Sequence, residues 1–158
     1  MTTYVIDTST WISLAEHHVL GKSIFIPFWD ALVDLAQAGT IVSPDEVLVE
    51  LKAKDDAIYK WVRDHKRHLI KSPDRDVQSI FKEIIGRYPE LTTKGKPQAK
   101  SDGDAWVIAL AKRLGAGATV VSDETDVLSK PTQKIPGVCR LMGIRPLTTI
   151  EFIDEALT

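Results

Sequence analysis

Short apolar runs of strand length alternate along this chain with stretches whose apolar residues recur at helical spacing, and that alternation constrains the fold more than any other feature. Tyr4 to Ile6 is followed by Trp11, Ile12, Leu14 and Ala15, and Thr40 to Val42 by Val47, Leu48 and Leu51. An amphipathic segment from Phe28 to Ala38, closed by Gly39, lies between them, so the opening reads β-α-β. Ile58, Trp61 and Val62 mark another helix, Leu69 and Ile70 a short third strand, and Ile80, Phe81, Ile84 and Ile85 a helix ended by Gly86 and Pro89. The Lys/Gly/Pro-rich segment from Thr92 to Lys100 reads as a loop. Beyond it the pattern predicts a helix from Asp104 to Leu114, a strand from Ala118 to Ser122 and a helix from Ile135 to Met142. An edge strand from Arg145 to Leu147 and a closing helix from Ile150 to Leu157 complete it. This alternation predicts an α/β fold, a three-layer α/β/α sandwich with a central parallel sheet and helices on both faces. No repeat or boundary interrupts it, so residues 1–158 read as one domain, a length that supports a sizeable core.

Acids fall where these elements begin or end. Asp7 follows the first apolar run and would sit at the carboxyl end of the first strand, where open α/β sheets place ligands; the plain alternative is a helix N-cap, for which Thr8, Ser9 and Thr10 are also available. Glu50 lies at the margin of an apolar stripe on a helix with Ser43 as N-cap, Pro44 at the first helical position and Glu46 as capping-box acid; a solvated flank position would explain it equally. Asp104 opens a helix apolar nearly all round, which aims its carboxylate inward. Ser101 and Asp104 fit a capping box, yet Asp102 adds more acid than capping requires. Asp123 and Glu124 follow the strand at Val120 and Val121, and extended backbone turns only one of them to a shared pocket. Ser9 and Ser122 are the supporting candidates; Ser122 can orient a carboxylate or a ligated water, with a turn-forming serine as the plain alternative.

Converging ionised carboxylates cost several kcal/mol each unless something opposes their charge, and none of the four stretches itself contains Lys or Arg. Divalent cations are the simplest partners. A set of oxygen donors without His or Cys suits Mg²⁺ or Mn²⁺, which points toward phosphate chemistry.

With a net charge of −2, the chain is no globally basic nucleic-acid binder, so a polyanion must be held by a local patch or by metal. Seven Lys/Arg against three Asp between Lys52 and Lys71 make one such patch, and Lys94, Lys96 and Lys100 a second candidate contact to an RNA backbone. His65 and His68 lack partners at zinc spacing and read as surface residues; Trp11, Trp29, Trp61 and Trp106 read as packing, and Cys139 as a small buried hydrophobe. Neither a leader-like segment nor a membrane-spanning apolar run is present in this sequence, so a soluble cytoplasmic protein with no membrane partner is expected.

The order of these pieces resembles the PIN-domain family of metal-dependent ribonucleases, which includes toxin subunits of toxin–antitoxin pairs. The matching stretches are Val5-Ile6-Asp7-Thr8-Ser9, Glu50-Leu51, the helix Asp104 to Ala111 and Val120-Val121-Ser122-Asp123-Glu124. The tail from Ile135-Pro136-Gly137-Val138-Cys139 through Glu151-Phe152 also resembles a PIN-like branch known only as a domain of unknown function. The resemblance implies strand order 3-2-1-4-5, a Mg²⁺ or Mn²⁺ cofactor, an RNA substrate cut to 5′-phosphate and 3′-hydroxyl ends, an antitoxin partner and a homodimer. In the family the fourth site reads Thr or Ser, any residue, Asp; here Ser122 is followed by Asp123 and then Glu124, so either acid can take the position.

The expected activity is therefore endoribonucleolytic hydrolysis, with Asp7, Glu50, Asp104 and Asp123 or Glu124 as metal cage. The alternative is a non-catalytic PIN-like module that docks RNA or protein. A receiver domain wants paired acids after strand one and a haloacid-dehalogenase-type phosphatase wants Asp-any-Asp; Asp7-Thr8-Ser9 supplies neither.

Overall fold

β1 (Thr3–Ile6) runs through the centre of the molecule, with Val5 and Ile6 fully buried. A parallel strand covered on both faces must be apolar throughout, which is why its run does not alternate. The computed structural model describes residues 1–91 and 103–158. α1 (Thr8–His17) buries Thr10, Trp11 and Leu14, and α2 (Ile26–Gln37), with Pro27 in its first turn, buries Trp29, Leu32 and Ala36 at helical spacing. Gly39, at φ +75°, takes the left-handed turn that returns the chain to β2 (Ile41–Pro44).

α3 (Asp45–Lys54) and α4 (Asp56–Asp64) follow, the latter capped by Asp55, whose carboxylate accepts the Ile58 N–H. α5 (Lys66–Leu69) leads into β3 (Ile70–Lys71) and then α6 (Arg75–Arg87). After the undescribed segment come α7 (Gly103–Leu114), β4 (Ala118–Val121), α8 (Ile135–Leu141), β5 (Arg145–Leu147) and α9 (Thr149–Ala156). Lys94, Lys96, Lys100, Ser101 and Asp102 lie outside the described residues.

The five strands are all parallel, in the order β3-β2-β1-β4-β5, as the resemblance implies, with helices flanking the sheet. Val5 pairs with Val42 on one side and Val120 on the other. The chain moves outward from β1 to β3, then returns beside β1 with β4 and continues to β5. With right-handed crossovers this reversal divides the helices between two faces and opens a crevice at the carboxyl ends of β1 and β4. Among the described residues no helix is long and apolar enough to cross a membrane.

The expected elements recur within one to two residues at most ends, the exception being the entry to α3. The strand continues through Pro44, so Ser43 is not the helix N-cap and Glu46 closes no capping box. Ser43 is instead fully buried: its hydroxyl accepts the Trp11 indole N–H at 3.0 Å and donates to the Ile6 carbonyl at 2.6 Å, joining β2, β1 and α1. Ser43→Ala strands the Trp11 N–H and is expected to destabilise the fold by about 1–3 kcal/mol, read as a lowered urea midpoint with unchanged slope.

Trp11 and Trp29 pack with Trp61, and Trp106 stacks on Phe81 with ring centroids 3.8 Å apart, joining α6 to α7. His65 donates from Nδ1 to the Trp61 carbonyl and lies against its ring. At the far edge Arg145 grips Glu155 with two N–H groups while Tyr4 donates to the same carboxylate, tying α9 to the sheet. That contact holds the Glu155 carboxyl at about 2, and burial with the Glu155 charge pushes the Tyr4 phenol up to about 12. Cys139 is buried.

Candidate metal centre

The crevice at the carboxyl ends of β1 and β4 holds a cleft of about 260 Å³ lined by Asp7, Thr8, Ser9, Ile12, Glu50, Lys54, Asp104 and Glu124. Asp7 occupies the N-cap position of α1, but its side chain makes no capping hydrogen bond. Its Oδ2 accepts instead from the Ser9 hydroxyl at 2.8 Å and the Ser122 hydroxyl at 3.0 Å, one from α1 and one from the end of β4. The two serines thereby orient a carboxylate that is itself buried.

Glu50 reaches over the edge of the core from α3, and Thr8 donates to its Oε1 at 3.0 Å. Asp104 enters from the first turn of α7. Gly103, immediately before it, is needed for close approach: a Cβ there would lie 1.9 Å from Glu50 Oε1 and 2.7 Å from its Cδ. Gly103→Ala should therefore leave the fold intact but swing Glu50 aside. Its expected signature is metal binding weakened by about tenfold or more at near-native melting temperature, measured by Mn²⁺ titration and thermal unfolding.

At the fourth position the chain turns Glu124 into the cleft and Asp123 away. Asp123 accepts the Thr149 N–H at 3.2 Å, an anchor at the start of α9. Glu124 is held by its own backbone N–H donating to Ser122 Oγ at 3.1 Å and by its Oε2 accepting the Ile135 N–H at 2.8 Å. The Ser122 hydroxyl thus contacts both the Asp7 carboxylate and the Glu124 backbone N–H. Asp7, Glu50, Asp104 and Glu124 come together; Asp123 does not join them.

Thr8, Gly103 and Lys54 were not singled out by the sequence. Thr8 offered only a generic small polar residue next to Asp7. Gly103 carried a faint signal, a glycine at the start of a helix rather than past its end. Lys54 had the clearest, because it lies four residues beyond Glu50 and so on the same helix face.

The acids act on one another. Burial, and then the Glu124 charge, push the Asp7 carboxyl up, against hydrogen bonds from Ser9, Ser122 and the Thr8 backbone that pull it down. Glu50 is raised by burial and by Asp7, with Thr8 and Lys54 opposing. Asp104 is raised most clearly: burial leads, followed by the charges of Asp7 and Glu124, a hydrogen bond with Glu124 and the Glu50 charge. Such a pocket disfavours its own accumulated negative charge and is stabilised by an added cation. The donor set fits a hard divalent ion, being four carboxylates without nitrogen or sulfur. Among the described residues no group of three or more acid, His or Cys side chains is drawn together closely enough to hold an ion as it stands.

One family model matches the chain, over residues 4–158. The chain belongs to the DUF4411 family. Its description is a domain of unknown function, so membership assigns no activity. In this DUF4411 chain the match begins in β1 and runs past α9, enclosing all four acids of the cleft. No curated protein matches it.

Proposed function

We propose that this chain is a Mg²⁺- or Mn²⁺-dependent endoribonuclease, the toxin component of a toxin–antitoxin pair. One observation carries the reading: Asp7, Glu50, Asp104 and Glu124, from four separated elements, line a single cleft at the reversal point of a parallel sheet. Asp7 is held for ligation by two serine hydroxyls, Glu50 by Thr8, and Glu124 by the α8 backbone. Asp104 adds the fourth carboxylate from a helix N-terminus. A bound divalent ion would supply a water of lowered pKa and offset charge on the phosphodiester. The chain's own carboxylates would position that ion in a cleft open to RNA. For a protein partner, antitoxin or second copy, the exposed Val19, Ile24 and Ile26 supply apolar surface. Lys94, Lys96 and Lys100, outside the described residues, remain the proposed RNA-backbone contacts.

The test is incubation of the purified protein with labelled single-stranded RNA, in EDTA and in Mg²⁺ or Mn²⁺. Internal cleavage that needs the metal supports the proposal. Metal-independent or absent cleavage overturns it. The second reading is a non-catalytic module; RNA binding without cleavage in saturating Mn²⁺ would decide for it.

A further inference from the structure

Lys54 is the basic side chain among the described residues that line the acidic cleft. It stands in the last turn of α3, one turn beyond Glu50. Two ordinary roles are open to a lysine there, an i,i+4 pair with Glu50 and a favourable charge at a helix C-terminus. The first is realised only at a distance: the Lys54 charge pulls the Glu50 carboxyl down, but Lys54 takes no part in the ion pairs of the described residues, which engage Lys60, Arg63, Arg113, Arg140 and Arg145. The second is already served by Lys52 in the same turn, which does not line the cleft. Lys54 therefore presents an ammonium group to the same opening that four carboxylates face.

That opening would otherwise repel the substrate. A phosphodiester brings a negative charge toward Asp7, Glu50, Asp104 and Glu124, and even a bound divalent ion leaves the set with excess negative charge. An ammonium on a flexible stem can meet a non-bridging oxygen at varied angles without taking a coordination position. We propose that Lys54 is a substrate-contacting residue, its Nζ donating to a non-bridging oxygen of the scissile phosphodiester at the mouth of the acidic cleft. This rests on the ribonuclease reading. The contact fixes the phosphorus against the acid set and offsets charge that grows on the phosphoryl oxygens during in-line attack.

The experiment compares wild type, Lys54→Ala and Lys54→Arg. With Mn²⁺ and a short single-stranded RNA, Lys54→Ala should lose about 10- to 100-fold in kcat/KM, and Lys54→Arg should recover most of it. In Mn²⁺ titrations without RNA, Lys54→Ala should bind the ion as tightly as wild type or more tightly, because a like charge has gone. Opposite responses of this kind are not produced by a lysine that only supports the helix. Unchanged kcat/KM, or weakened Mn²⁺ binding in Lys54→Ala, overturns the proposal. If wild type cleaves no RNA, the ribonuclease reading fails separately, and inorganic phosphate binding to the Mn²⁺-loaded protein decides for Lys54. Weaker phosphate binding in Lys54→Ala upholds the anion contact; equal binding, or none by wild type, overturns it.

Discussion

Asp7→Asn and Asp104→Asn are each expected to lower metal-dependent RNA cleavage by at least about two orders of magnitude, since each replaces an anionic ion ligand by a neutral amide. Asp7 is the more exacting position. One of its oxygens accepts from both Ser9 and Ser122, so an amide there must either lose both hydroxyl donors or turn its nitrogen toward the ion. EDTA should abolish the wild-type reaction and added Mn²⁺ restore it. Asp123→Asn is the internal comparison: its carboxylate holds the Thr149 N–H, and an amide oxygen can accept the same bond, so cleavage should stay near wild type. Measured initial rates on one RNA decide the matter. An Asp104→Asn protein that cleaves at the wild-type rate removes Asp104 from the site.

The contrast between Asp123 and Glu124 also shows where the sequence stopped being legible. Alternation along extended backbone implied that one acid faces the cleft and the other does not, but not which, because the answer depends on partners far along the chain. Ser122 N–H pairs with the Leu147 carbonyl, Thr149 captures Asp123 and Ile135 captures Glu124. Ser43 failed for a related reason. Ser43-Pro44-Asp45-Glu46 satisfies a local capping pattern, yet the buried indole of Trp11 claims the serine hydroxyl, and tertiary hydrogen bonding outweighs a cap worth about 1 kcal/mol. The sheet was readable because each central strand is a continuous apolar run between turn residues, a signal that needs no distant partner. Asp7 and Asp104 were readable because both stand next to such punctuation.

In EDTA, Asp104→Asn is expected to melt higher than wild type at pH 7.5, and in saturating Mn²⁺ lower. Two effects oppose each other at this residue. A carboxylate in the first turn of α7 gains about 0.3–1 kcal/mol from the helix N-terminus, whereas burial and three neighbouring acids disfavour its charge. The raised Asp104 carboxyl says that the second effect prevails. A relief of about 1 kcal/mol corresponds to about 2–4 °C in a domain of this length. A carboxyl whose folded pKa lies above its unfolded value carries its full penalty above the folded pKa. The penalty fades as pH falls toward the unfolded value near 4. The EDTA difference between the two proteins should therefore shrink from pH 7.5 to pH 5, and wild type should gain more from acidification. Mn²⁺ reverses the order by mass action: an ion held by four carboxylates stabilises the native wild type in proportion to its binding, and the variant, short of one ligand, gains less. Four melting curves at pH 7.5 and two at pH 5 suffice. If Asp104→Asn melted below wild type in EDTA and both proteins gained equally from Mn²⁺, Asp104 would be a helix-terminal charge, and the cleft would not be a shared metal cage.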